Sequence, residues 1–256
     1  MSTEQITLTA LSGIPFVSSG DDLASVISCG LEKSGLDLQS DDVLIIAQKI
    51  VSKAEGCYVD LRNITPSDRA LEWARKVDKD PRLVELILSE STEVVRYKKG
   101  VLVVAHRLGY VVANAGIDHS NVGSSGNGDT VLLLPSNPDR TCSELRQQLR
   151  AVTGATVGVV INDSHGRAWR NGTVGLAVGA SGVPTLLDRR GTLDLFGSPL
   201  ETTQIGLADE MAAAASLLMG QAAEGQPVVH LRGLPQALRG GNAQDLIRPI
   251  EEDLFR

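Results

Sequence analysis

Apolar positions along the chain fall into two patterns, short aliphatic runs and segments with a helical repeat. Residues 43–47 (VLIIA) and 157–161 (VGVVI with its flank) are almost wholly aliphatic, the mark of strands covered on both faces. Residues 6–8, 101–105, 110–113, 130–134 and 228–231 read as further strands, with a turn at Leu108-Gly109. Leu23, Val26, Ile27 and Leu31 share one helical face, capped by Asp21 or Asp22. Thr65-Pro66-Ser67-Asp68 predicts a helix start with Thr65 as cap and Pro66 in the first turn, and Asp80-Pro81 repeats the device before Leu83, Leu86 and Leu88. Thr141 with Glu144 predicts a capping box for a helix ending near Gly154. Residues 205–219 predict a helix ended by Gly220, and the tail from Ala243 a last helix. The fold class is mixed α/β; doubly wound and antiparallel sheets share this local pattern.

Length and composition narrow the class. The 256 residues suit one domain spanning 1–256, or two intimate subdomains. Aromatics make up only 3%, so Val, Leu, Ile and Ala must build the core. A net charge of −7 argues against nucleic acid and anionic membranes as partners; anionic substrates would need bound cations or clustered Lys and Arg. Cys29, Cys57 and Cys142 are too widely spaced for a disulfide framework or zinc pattern, and no signal peptide or membrane-length apolar run is visible, so the expected location is the cytoplasm. The GSSGNG stretch at 123–128 reads as a flexible loop.

Neither a P-loop nor a Rossmann glycine motif is present, so a nucleotide would need another cradle. Four polar clusters stand out. In AQKIVSKAEG, Lys49 and Lys53 lie four apart after a buried strand, either a solvated basic face or a phosphate-binding pair. In ANAGIDHSN, Asp118 suits a hard divalent cation and Asn121 a phosphate or nucleotide oxygen, and a simple turn also accounts for these residues. INDSHGRAWRNG follows the second aliphatic run with Asp163, Ser164, His165, Arg167 and Arg170, more polar groups than a loop needs; the two guanidinium groups suit phosphate or carboxylate. MGQAAEGQ brings Gln221 and Glu224 to a helix end. No nucleophile elbow is present, Cys57 reads as an idle thiol, and Trp73 and Trp169 read as packing residues.

These clusters, in this order, resemble the coenzyme F420-0:L-glutamate ligase (F420-0 gamma-glutamyl ligase) family. The likeness begins at LSGIPFVSSGDDL and runs through DDVLIIAQKIVSKAEG, NAGIDHSNVG, NDSHGRAWRNGTVGLAVGASGV, ADEMAAAASLLMGQ and PVVHLRG, nearly the whole chain. It implies a family-specific α/β fold, neither P-loop nor Rossmann, and an intertwined homodimer. It also implies GTP contacts from Ile14, Pro15, Phe16, Val17, Gln48, Lys49, Lys53, Asn121, Met219, Gly220, Gln221, Ala222, Ala223, Glu224, Gly225 and Gln226. Asp118 and Asp163 would hold one divalent cation and Ser164 and Gln221 a second, Mg²⁺ or Mn²⁺, assisted by K⁺; Lys53 would act with the two aspartates in catalysis.

The implied reaction phosphorylates a carboxylate of F420-0 with GTP and lets the amine of L-glutamate displace phosphate; a second round adds a γ-linked glutamate. Two features depart from the family pattern. Asn162-Asp163-Ser164 replaces a common Thr-Asp-Thr, and Gln221 stands where some relatives carry a carboxylate. Some relatives continue into a C-terminal flavin domain, so the chain is expected to be stand-alone or one domain of a longer product. A ligase for another acid, or a non-catalytic nucleotide-binding protein, would carry the same residues.

Overall fold

The computed structural model describes residues 4–122, 129–235 and 237–255; the 123–128 stretch lies outside them. In chain order the elements are β1 (Thr7–Ala10), α1 (Leu23–Lys33), β2 (Val43–Ala47), α2 (Gln48–Ala54), β3 (Tyr58–Asp60), α3 (Asp68–Val77), α4 (Pro81–Ser89), β4 (Ser91–Lys98), β5 (Val101–His106), β6 (Val111–Ala113), β7 (Thr130–Leu132), α5 (Pro138–Thr153), β8 (Gly158–Arg167), β9 (Arg170–Ser181), β10 (Leu187–Asp188), β11 (Gln204–Ile205), α6 (Leu207–Met219) and β12 (Val228–Arg232). The α/β expectation is met.

A five-stranded sheet ordered β1-β12-β2-β8-β9 forms the centre. Its one parallel pair is β2 with β8; the other neighbours are antiparallel. The two aliphatic runs are apolar throughout because helices cover both faces. Leu44, Ile46, Val159 and Ile161 pack with Ile27 and Leu31 of α1 and Leu145 and Leu149 of α5. Val43, Ile45 and Val160 pack against Met211, Ala212 and Ala215 of α6. The alanines bring α6 close: a Cβ on Gly175 of β9 would fall 2.3 Å from Ser216 Oγ and 2.5 Å from the Ala212 carbonyl. A third cluster packs α3 and α4 against the β4-β5-β6 sheet, through Ala74, Val77, Leu83, Ile87, Leu102 and Val104. Among the described residues no helix is long and apolar enough to cross a membrane.

Several expected boundaries shift. The helix expected from Thr141 begins at Pro138, because the Asn137 side chain accepts from the Arg140 N–H and proline suits the first turn. Ser67, not Thr65, caps α3, accepting from the Ala70 N–H. The tail from Ala243 makes only two 3₁₀ turns, Ala243–Leu246 and Ile250–Glu252. The largest change is in β8, which does not stop at Ile161 but runs to Arg167 and folds back as β9. Trp169, expected to pack, sits at the tip of this hairpin, 87% exposed and in a left-handed backbone conformation (φ 63°). A turn residue there cannot reach the core.

One buried carboxylate joins the ends of β2 and β12. Asp42 accepts from Arg232 Nε and Nη2 at 2.8 and 2.7 Å and from the Gln39 N–H at 2.8 Å, with His230 Nε2 2.9 Å away. Burial pulls the Asp42 carboxyl upward, but the hydrogen bonds from Arg232 and Gln39, with the adjacent His230 ring, outweigh it and leave it below the usual carboxylate range. Its contribution to stability is therefore fully present above the unfolded-state value of about 3.9 and is lost as pH falls through the lower folded-state value. Asp42→Ala leaves Arg232 and His230 without their shared acceptor, and a loss of about 3–5 kcal/mol in urea unfolding at pH 7 is expected. That loss should shrink in acid, as the wild-type protein loses the same interaction.

Candidate functional site

The site grows from the parallel pairing of β2 with β8. Ala47, the last residue of β2, pairs with Asn162, so both strands deliver their next residues to the same edge of the sheet. From β2 the chain enters α2 directly, and the four-residue spacing of Lys49 and Lys53 places both on one helical turn, as expected. From β8 come Asn162, Asp163 and Ser164, carried on a strand and not on a loop. Asp118 arrives from the other side. Its N–H and C=O both bond to Leu132, at 2.9 and 3.0 Å, after a left-handed Asn114-Ala115 pair.

Asp118 meets α2 through a 2.7 Å ion pair between Lys49 Nζ and Asp118 Oδ1. Burial raises the Asp118 carboxyl, Lys49 lowers it and the nearby Asp163 raises it again. Burial also lowers the Lys53 ammonium, as does Lys49, while Asp118 opposes the change. The four groups therefore share one electrostatic environment. Asp118 Oδ2 in this group, and Gln48 Oε1 and Asn162 Oδ1 on the adjoining residues of α2 and β8, are buried acceptors without a hydrogen bond among the described residues. Unsatisfied buried oxygens cost about 1–3 kcal/mol each, and more when charged, so this edge of the sheet carries acceptor capacity that the described residues do not use.

The surrounding groups divide by how they are held. Asp163 Oδ2 lies 3.0 Å from His165 Nε2, and His165 is itself buried. Asn162 Nδ2 reaches Ser216 Oγ at 2.9 Å and Met219 Sδ at 3.2 Å, which ties the strand to the end of α6. Asn121 Nδ2 donates to the Ala222 carbonyl at 3.2 Å and so joins the second and fourth clusters. In that fourth cluster Glu224 turns back on its own loop: Glu224 Oε2 accepts from the Ala222 N–H at 2.8 Å. Hydrogen bonds from the main chain of Ala222, of Glu224 itself, and of Gln221 and Ala223 hold the carboxyl below its usual range. Gly220 is required there: its φ is +68°, and a Cβ would lie 2.1 Å from the Glu224 carboxyl carbon. Gln221, Ala222, Ala223, Glu224 and Gly225 are exposed, and Gln226 Oε1 is buried without a partner among the described residues.

Other expected residues stand apart. Ile14 and Val17 pack into the α1 side of the core, whereas Pro15 and Phe16 are exposed; no hydrogen bond links them to the Lys–Asp group among the described residues. Ser164 is half-buried. Arg167 and Arg170 pair across the end of the β8–β9 hairpin, Arg170 exposed and Arg167 with Nη1 buried and unbonded among the described residues. Burial raises the Cys57 thiol to about 11, with Glu55 adding to the effect, so it is a weak nucleophile at neutral pH.

Sequence reasoning missed Tyr110 and Asp209. The β8–β9 register skips Val178 between Ile161 and Asn162, a bulge just before the site. The Tyr110 hydroxyl donates to the Val178 carbonyl and pins that bulge. A tyrosine in an aliphatic strand was the available signal, because its hydroxyl needs a partner when buried. Asp209, in the first turn of α6, accepts from the Ala177 N–H on the open edge of β9 at 2.9 Å; nothing in the local sequence marks that contact.

Chemically, the arrangement offers two ammonium groups, two carboxylates and several free amide oxygens at one edge of a buried sheet, a setting for a polyanion held through cations. The profile of the family F420-0:Gamma-glutamyl ligase matches residues 13–233. A protein named Coenzyme F420:L-glutamate ligase from Methanothermobacter thermautotrophicus is 46% identical over 253 residues, covering 98% of this chain and 99% of the relative. The proteins of the same name from Methanopyrus kandleri and Methanocaldococcus jannaschii are 45% and 43% identical, covering 94% and 86% of this chain and 93% and 86% of the relatives. With this match spanning the strands and loops that build the site, the chain belongs to the F420-0:gamma-glutamyl ligase family.

Proposed function

We propose that this protein joins L-glutamate to coenzyme F420-0 in an amide bond, driven by GTP through an acyl phosphate. The observation that carries the reading is the meeting of Lys49, Lys53, Asp118 and Asp163 beyond the carboxyl ends of β2 and β8, with buried oxygens left unsatisfied. The names of the relatives supply the acceptor and the amino acid.

The residues fit a divalent cation in their chemistry. Asp118 Oδ2 is a carboxylate oxygen and Gln48 Oε1 a neutral one, both buried without a donor among the described residues and both of the hard kind that Mg²⁺ or Mn²⁺ prefer. Among the described residues no three His, Cys, Asp or Glu side chains cluster, so phosphate oxygens and water would complete the shell. Asp118 and Asp163 would hold one ion, Ser164 and Gln221 would flank a second, and K⁺ would assist. Bound there, the ions would neutralise charge that develops on the transferred phosphoryl group.

The chain's own part is positioning. Lys49 and Lys53 set positive charge against the triphosphate, and the half-buried state of Lys53 strengthens its attraction to phosphate. The main-chain N–H groups of the Gln221–Glu224 turn, now folded around a carboxylate, suit phosphate oxygens equally well. A carboxylate oxygen of F420-0 attacks the terminal phosphorus of GTP and GDP leaves. The neutral amine of glutamate then attacks the acyl carbon, phosphate departs and the amine proton passes to solvent or phosphate. No protein nucleophile is required, consistent with the raised thiol of Cys57.

Mass spectrometry of F420-0 incubated with the protein, GTP, L-glutamate and Mn²⁺ is expected to show products heavier by one or two glutamyl units; an unchanged acceptor would remove the assignment. Asp163→Ala should lower kcat by about 10²–10³-fold, since loss of a metal ligand removes several kcal/mol of charge stabilisation. Its thermal melt should fall by only a few degrees, roughly the 1–3 kcal/mol cost of leaving buried His165 Nε2 without Asp163, and near-normal turnover would contradict the metal role. Lys53→Ala should raise the KM for GTP roughly 10- to 100-fold, the worth of one charge-assisted hydrogen bond, and leave the KM for glutamate nearly unchanged.

A further inference from the structure

A cavity of about 200 Å³ opens on the outer edge of β9, next to the site but outside the Lys–Asp group. Its walls include Tyr110, His165, Ala177, Asp209, Arg248 and Asp253. His165 is the shared wall. Its Nε2 faces Asp163, while Nδ1 makes no hydrogen bond among the described residues, although the side chain is only 5% exposed. Asp209 uses Oδ1 to hold the Ala177 N–H, and Oδ2 accepts no hydrogen bond among the described residues. Arg248 also lines it, exposed and without an ion pair among the described residues.

Size and charge select the occupant. Pockets for nucleotides and drug-sized ligands run to about 300–1,000 Å³, so this cavity is too small for GTP or a whole coenzyme. Of its charged walls, the half-buried Asp209 carboxylate and the exposed Arg248 guanidinium match the two ends of a free amino acid, ammonium inward and carboxylate outward, with the Asp253 carboxylate as a third charged wall. The cavity lies one side chain, His165, from Asp163. An amine held there would lie beside the cation site at which the proposed reaction activates the acceptor carboxylate.

We infer that this cavity is the amino-acid subsite of the ligase, with Asp209 receiving the ammonium of L-glutamate and Arg248 one of its carboxylates. The assignment rests on the ligase reading above. Asp209 then has two tasks: one oxygen seals the edge of β9 and the other receives the substrate.

The test is steady-state kinetics of the full chain with F420-0, GTP, L-glutamate and Mn²⁺, comparing wild type with Arg248→Gln and Asp209→Asn. The asparagine keeps the acceptor for the Ala177 N–H, so loss of the fold does not confuse the result. Each variant should raise the KM for glutamate about tenfold or more, with the KM for GTP within about twofold of wild type. Unchanged glutamate KM in both variants of an active enzyme would overturn the subsite alone. A rise in the KM for F420-0 with none for glutamate would overturn it too, assigning the cavity to the acceptor. A wild-type protein that attaches no glutamate to F420-0 would instead remove the ligase reading, and the subsite with it.

Discussion

Everything in the site depends on the in-register parallel pairing of β2 with β8. Antiparallel neighbours send their chain ends in opposite directions, whereas this pair sends both the same way, and at the same level. The register comes from burial. Val43, Leu44, Ile45 and Ile46 alternate between two helical layers, and a one-residue slip would exchange the layers for every side chain. The slip would also move Lys49 about 3.3 Å along β8, more than a hydrogen bond tolerates. The aliphatic core therefore sets the distance between the lysines and Asp163 without touching either.

Against that fixed edge the charged groups sit at a cost they share. Asp118 alone would be pushed toward protonation by burial, and Lys53 toward deprotonation. Lys49 offsets part of the first effect and Asp118 part of the second, while Lys49 itself adds to the pressure on Lys53. What the Lys49–Asp118 pair does not offset is the second oxygen of Asp118 and the amide oxygens of Gln48 and Asn162. The protein tolerates this deficit where a strand end, a helix start and a bridge residue from another part of the chain meet.

Much of this was legible in the sequence, and the limits have physical reasons. Residues 43–47 and the core of β8 were visible because full burial leaves no polar residue. The Lys49–Lys53 spacing was visible because helical geometry fixes which residues share a face. The long β8–β9 hairpin was not: RNGTVGLAVGAS carries glycines where α6 and α5 press close, and those glycines weaken the local strand signal. β4 was hidden for a different reason: mostly exposed and rich in charge, it shows no buried face. Ion pairs such as Lys49–Asp118, separated by 69 residues, leave no trace in local patterns, and the grouping of these residues came from the family resemblance.

The open edge of β9 carries a further consequence. Its Ala177 N–H is taken by Asp209 and its Ala180 N–H by Asp139, whose Oδ1 also accepts from Ala243. Carboxylates thus occupy backbone donors that a foreign strand would need in order to extend the sheet. The border is chemically closed at these points, and a neighbouring chain that approaches it meets acid groups in place of a template. Growth into a continuous ribbon of sheets is disfavoured there, even when crowding brings copies together.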